Sequence, residues 1–255
     1  FAVETDWEPV YSYTRENEFY EIHTELLETD VSAKVNCREY FHDPWAHVRC
    51  AERNRFEFEP EYHFLYLLTH LAKHVVSTGA GIRMYLDVAV FVQHYRNSLN
   101  WGRIEEELES LYLRDFANVV LHVVQEYFGI PNPLEAKPVN PETIDLFLEI
   151  PMDGGVFGMV GQCAGVTSLK EENRSRGEFS RVGTMMNRLF PAADTIQNRY
   201  TYLQKYPWLL PAAWVHRLVK TRGRFHDHTV EARGILSANK EAVQKLSRVY
   251  EAIGL

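Results

Sequence analysis

Cysteine is scarce in this sequence: Cys37, Cys50 and Cys163 are odd in number, widely spaced and include no Cys-x-x-Cys pair. That argues against a disulfide framework and against a cysteine-based structural zinc site. Long apolar runs are missing too, with nothing near the ~18 residues a helix needs to cross a bilayer. The opening residues, Phe1-Ala2-Val3-Glu4-Thr5-Asp6, have neither the basic region nor the apolar run of a secretory signal, so a cytoplasmic location is the expectation. Basic charge is in deficit, 27 Lys and Arg against 35 Asp and Glu, for a formal net charge of −8. Affinity for polyanions is built from clustered cations, so there is no strong nucleic-acid signal, although a single nucleotide needs only a local basic spot. Phosphate-loop, dinucleotide-binding, nucleophile-elbow and kinase signatures do not occur. Asp153-Gly154-Gly155-Val156-Phe157-Gly158 is Gly-rich but has no Lys and no strand–helix setting.

What is present is the composition of a globular chain, 45% hydrophobic and 24% charged over 255 residues, enough for one large domain or two modest ones. The first residues read as strands. Val10-Tyr11-Ser12-Tyr13-Thr14 is β-branched and aromatic, Glu16-Asn17-Glu18 supplies a turn, and Phe19 to Leu26 alternates. The two segments predict a hairpin at the end of a sheet, and Arg55-Phe56-Glu57-Phe58 predicts one more short strand. From Pro60 the period becomes helical. Glu59-Pro60-Glu61 opens a helix with the stripe Phe64, Leu68, Leu71 and Val75, which Gly79-Ala80-Gly81 stops. A second helix over 82–96 carries Leu86, Val90 and Phe91, Asn100 caps a third, and Asp115 opens a fourth that runs to Gly129. Four prolines between 131 and 141 mark a rigid connection. Beyond it the sequence predicts a short helix at 142–150, a loop over 153–177, helices near 178–189, 193–205 and 212–222, and an amphipathic helix at 226–253. The expected fold class is α+β and predominantly α-helical: a small antiparallel or mixed sheet at 1–58, a helical bundle at 59–131 and a helical region at 132–255.

Four groups of residues could carry chemistry. Glu21, His23 and Glu25 share one strand face and could converge on a divalent cation; the alternative is the solvated side of an antiparallel strand. On the helix over 62–77, His63, His70 and His74 share a flank. The spacing of His70 and His74 can chelate Zn²⁺, although such imidazoles more often bond to neighbours. Lys73, embedded among apolar residues, must snorkel or reach an anion. Arg83 and Asp87 begin the next helix, where a half-buried Asp87 would take Lys73 or Arg83 as its partner. Finally, Tyr200, Trp208, Trp214 and Arg217 form an aromatic and basic stretch, read either as core packing or as a surface for a partner or membrane.

Taken in order, Tyr20-Glu21-Ile22-His23, Pro60-Glu61, His70-Leu71-Ala72-Lys73-His74, Gly81-Ile82-Arg83, Leu86-Asp87-Val88, Asn100-Trp101 and Phe128-Gly129-Ile130-Pro131 resemble an uncharacterised bacterial nucleotidyltransferase family of the DNA-polymerase-β-like superfamily. The resemblance covers residues 1–131. It implies transfer of a nucleoside monophosphate from a nucleoside triphosphate to an unknown acceptor, with Mg²⁺ held by carboxylates. Glu21 takes the position of the third metal carboxylate and His23 and His74 lie at the nucleotide. Lys73 and Arg83 meet phosphates, and Asp87 holds those cations. The superfamily's Gly-Ser turn and Asp-x-Asp strand are not in this sequence, whose only Asp before Glu21 is Asp6. The start at Phe1 rather than Met predicts that the motif lies upstream. A member without it would be a catalytically inactive binding or scaffold protein that uses its helical region.

Overall fold

The structure, a computed structural model, describes residues 2–7, 10–15, 18–27, 31, 35–77, 80–135, 137–154, 181–196, 200, 202–220 and 240–255. The described elements run in chain order as follows. Strands β1 (Ala2–Trp7), β2 (Val10–Arg15) and β3 (Glu18–His23) come first. Helix α1 (Cys37–Tyr40), a 3₁₀ turn (Pro44–His47) and strands β4 (Val48–Glu52) and β5 (Arg55–Phe58) lead to the bundle. The bundle helices are α2 (Pro60–Ser77), α3 (Ile82–Tyr95), α4 (Trp101–Ser110), α5 (Arg114–Phe128) and α6 (Pro141–Gly154). Then come α7 (Arg181–Leu189), α8 (Ala193–Ile196), α9 (Tyr202–Lys205), a 3₁₀ turn (Pro207–Leu209), α10 (Leu210–Lys220) and α11 (Lys240–Ala252). The class is α+β and mostly helical. The chain divides into two compact units, Phe1–Thr24 with Val160–Val243, and Glu25–Met159 with Gln244–Leu255.

In the first unit, β1, β2 and β3 form an antiparallel sheet in that order. The β2–β3 register pairs Ser12 with Glu21, Tyr13 with Tyr20 and Val10 with His23. A bulge interrupts β1–β2 between Val3 and Thr5. The strand expected to reach Leu26 ends at His23, because Leu26 and Leu27 belong to the hydrophobic core of the second unit. A small core of Ile196, Tyr200, Leu203 and Ala213 gathers α8, α9 and α10.

The second unit is the larger. Helix α2 buries Phe64, Leu68, Leu71 and Val75, the stripe that its spacing predicts. Helix α5 buries Phe116, Ala117, Val119, Val120, Leu121, Val123 and Val124 around nearly its whole circumference, the mark of a helix at the centre of a bundle. It packs against α3 and α4, which also meet α2. Helix α3 departs from expectation: it buries Tyr85, Val88, Ala89, Phe91 and Val92, whereas Leu86 and Val90 are exposed. Helix ends follow local chemistry. Asn100 Oδ1 accepts from Arg103 N at 3.1 Å and starts α4, and Gly129, at φ 69°, ends α5 in the left-handed conformation. The N-cap of α5 is Leu113, so the helix begins one residue before Asp115. Buried Arg114 binds Glu105 through Nε at 2.6 Å and the Glu135 carbonyl through Nη2 at 2.6 Å. Asn118 holds both the N–H (3.0 Å) and the C=O (2.9 Å) of Lys137, which fastens the Pro-rich connection onto α5.

Helix α11 returns to this unit. Its Tyr250 hydroxyl donates to the Val75 carbonyl at 2.6 Å, at the end of α2 where carbonyls have run out of helical donors. Gly254, at φ 81°, closes α11: Gly254 N donates to Glu251 O and Leu255 N to Tyr250 O, a complete Schellman motif. A Cβ on Gly254 would stand 3.2 Å from Asp115 Cβ. The hairpin β4–β5 turns through Asn54 at φ 67°, a conformation that Asn tolerates better than most residues. The sequence predicts β5 but not β4. The loop expected over 153–177 and the start of the helix expected at 226 fall almost wholly outside the described residues, as do Gly79 and the Glu16-Asn17 turn; Asp153 and Gly154 are the last residues of α6.

Candidate functional site

Glu21 and His23 occupy β3 of the first unit, opposite Ser12 and Val10, and His23 is exposed. Lys73, His74, Arg83 and Asp87 belong to the second unit. Lys73 and His74 are half-buried on α2. His74 Nε2 lies 3.1 Å from His70 Nε2, so one imidazole donates and the other accepts. His63, on the same flank, packs edge-on against Phe58 and Phe91, with ring centroids 5.8 and 5.0 Å away, and burial lowers its pKa.

Arg83 and Asp87 stand one turn apart on α3, both exposed. Among the described residues no ion pair joins Asp87 to Arg83 or to Lys73. The half-buried Asp87 expected from sequence is open to water because the inward face of α3 is set by Tyr85, Val88 and Val92, and a solvated carboxylate needs no buried counter-charge. The start of α3 has a definite electrostatic character. Gly81 caps it in extended conformation (φ −81°, ψ 161°) without a side-chain bond, and its first turn holds Arg83 and no acidic residue. Helix N–H dipoles and a guanidinium there point the same way, toward an anion.

Among the described residues no group of three or more His, Cys, Asp or Glu side chains could hold a metal ion. They do not by themselves fit a two-metal centre.

Another cluster of ionisable side chains lies elsewhere in the second unit, around a small, partly open cavity of about 20 Å³, room for a water-sized group. Tyr40 at the end of α1, His47 on the first 3₁₀ turn, Glu59, Glu61, Tyr62 and Leu65 at the start of α2, and Arg103, Ile104 and Glu107 on α4 line it. His47 stacks on Tyr62 at 4.2 Å and 8°, with its Nδ1 3.8 Å from Glu59 Oε2. Glu61 Oε1 accepts from Asn100 N at 3.2 Å. The Tyr40 pKa is pushed well up, first by burial and then by the charge and hydrogen bond of Glu107. Burial, with Asp43 and Tyr66 adding to it, pushes Tyr62 up to about 12. Sequence reading did not single these residues out. Glu59 and Glu61 had a sufficient explanation as acids at a helix start, and the other side chains join them only through tertiary packing.

The aromatic stretch is mostly turned inward. Tyr200 is buried, Trp214 Nε1 donates to the Pro191 carbonyl at 2.9 Å, and the Trp214 ring meets Phe190 at 5.1 Å. Arg217 reaches the Leu189 carbonyl at 3.5 Å. Trp208 alone of the four is strongly exposed, at 74%. Among the described residues no helix is long and apolar enough to cross a membrane.

Strands followed by a helical bundle, in which α3 starts at Gly81 with Arg83 in its first turn, define an α+β protein. Residues 3–129, ending at the glycine that closes α5, match the profile of a family described as uncharacterised nucleotidyltransferase. No match to the chain was found among curated proteins or among solved structures.

Proposed function

We propose that the protein transfers a nucleoside monophosphate from a nucleoside triphosphate to an acceptor, with pyrophosphate leaving. The observation that carries this reading is the family match over residues 3–129, a stretch that contains Glu21, His23, Lys73, His74, Arg83 and Asp87. The start of α3 supports it physically. An exposed Arg83 in the first turn of α3, with no acid in that turn, favours an anion such as a triphosphate. In this reading Arg83 and Lys73 bind phosphates, and Asp87 stands one turn on from Arg83. His23 and His74 touch the nucleotide, and Glu21 is assigned to Mg²⁺. When bound, that ion would neutralise phosphate charge. The described residues gather no three-ligand cluster.

Calorimetric titration of ATP and GTP, with and without Mg²⁺, tests it. Arg83 is exposed, so Arg83→Ala keeps the fold and should weaken triphosphate binding by about tenfold, the loss of one charge-assisted bond. Glu21→Ala should remove the Mg²⁺-dependent part of the affinity. Unchanged binding in both variants removes both residues from the site.

A further inference from the structure

We propose that the cavity bounded by Tyr40, His47, Glu59, Glu61, Tyr62, Arg103 and Glu107 binds the primary ammonium group of a small organic cation. Charge is the first argument. Three carboxylates line the cavity against one guanidinium and one imidazole, so an anion would meet net repulsion. The carboxylates keep capacity for more donors. Glu61 spends one oxygen on the Asn100 N–H, Glu107 takes the Tyr40 hydroxyl, and Glu59 stands 3.8 Å from His47, beyond a hydrogen bond.

The second argument is independent of charge. Tyr62 lines the cavity, is only 4% exposed, and its buried hydroxyl has no hydrogen-bond partner. A buried hydroxyl left unmatched costs free energy, which a ligand that donates to it or accepts from it recovers. A phenol is neutral at pH 7 and able to do either.

The walls favour an organic cation over a metal. The Tyr40 and Tyr62 rings, which line the cavity, offer carbon surface to the alkyl part of an organic cation. The carboxylates do not converge as a metal cluster, so a hard divalent ion finds too few oxygens at bonding distance. An ammonium group, with three separate donors, suits acceptors spread around a cavity.

The test uses the full chain without nucleotide, so its result stands apart from that of the transfer reaction. The n-butylammonium ion is titrated at low salt and followed by amide chemical shifts, with n-butanol as the uncharged isostere and MgCl₂ as competitor. Binding of n-butylammonium but not of n-butanol is expected. The double variant Glu59→Gln/Glu107→Gln should lose about tenfold in affinity through lost charge-assisted bonds. Tyr62→Phe should lose about threefold with an unchanged circular dichroism spectrum, because the hydroxyl it removes bonds nothing in the unliganded fold. Equal binding of n-butanol, affinity unaltered in the double variant, or displacement by equimolar Mg²⁺ would each overturn the proposal.

Discussion

Replacing Arg114 by Met, and its partner Glu105 by Ala, should damage the fold unequally. Arg114 is 4% exposed, and its Nε and Nη2 groups meet Glu105 and the Glu135 carbonyl. Its Nη1 is buried without a partner, so the side chain already carries an unmet cost. Met keeps the apolar volume and abolishes that cost together with the desolvated charge. It leaves the Glu135 carbonyl without a donor and Glu105, 29% exposed, to water. The balance is a loss of about 1–3 kcal/mol. Glu105→Ala instead strands a buried guanidinium, for roughly 3–5 kcal/mol. With no guanidinium left to strand, the double variant should lose about as much as Arg114→Met alone, short of the sum by roughly the 3–5 kcal/mol of Glu105→Ala. Urea unfolding at pH 7, followed by far-ultraviolet circular dichroism with the slope compared across variants, measures all three. If Glu105→Ala proves the milder single change, or the two losses simply add, burial of the guanidinium is not what makes this pair matter.

Two further outcomes follow from the same unit. Tyr250→Phe should cost about 1–2 kcal/mol in urea unfolding, because it leaves the Val75 carbonyl at the end of α2 without its buried donor; no change would mean that water replaces the phenol. His63, whose pKa burial lowers from 6.5, adds a pH dependence of known sign. The unfolded chain takes up the proton first as pH falls, so stability is full above pH 6.5 and declines below it, toward the lowered folded value. His63→Leu should flatten that decline, and an unaltered profile between pH 7 and 5 would contradict the assignment.

How far the sequence foretold this molecule varies by element, for physical reasons. Helix α2 was legible because Phe64, Leu68, Leu71 and Val75 recur at helical spacing after the Glu59-Pro60-Glu61 start. Helix α3 was legible as a helix but not in its facing. Arg83, Asp87 and His94 form a polar stripe, but Leu86 and Val90 beside it are apolar and read as core although they turn outward. The Asn100 cap was legible because capping is local. Strand β4 was not, since Val48-Arg49-Cys50-Ala51-Glu52 lacks a β-branched run and is held by its pairing with β5. The family resemblance was legible in the order of short motifs along the chain, and the match over residues 3–129 bears that resemblance out. The cavity was invisible because Tyr40, Glu59 and Glu107 are brought together by α1, α2 and α4, a distance along the chain that no periodicity can register.

The return of α11 to α2 sets an order of events during synthesis. Residues 25–159 leave the ribosome first, but the helix that closes their unit starts after a stretch of about 85 residues assigned to the other unit. At translation speeds of roughly 5–20 residues per second, Val75 waits about 9–35 s for Tyr250, 175 residues later, and Asp115 at the start of α5 about 7–28 s for Gly254. Each unit is discontinuous, so neither can be completed by the uninterrupted part of its own sequence. A nascent chain halted before residue 244 leaves the bundle's last apolar seam, the one sealed by Val249, Tyr250 and Ile253, open to whatever else in the cell binds greasy surface.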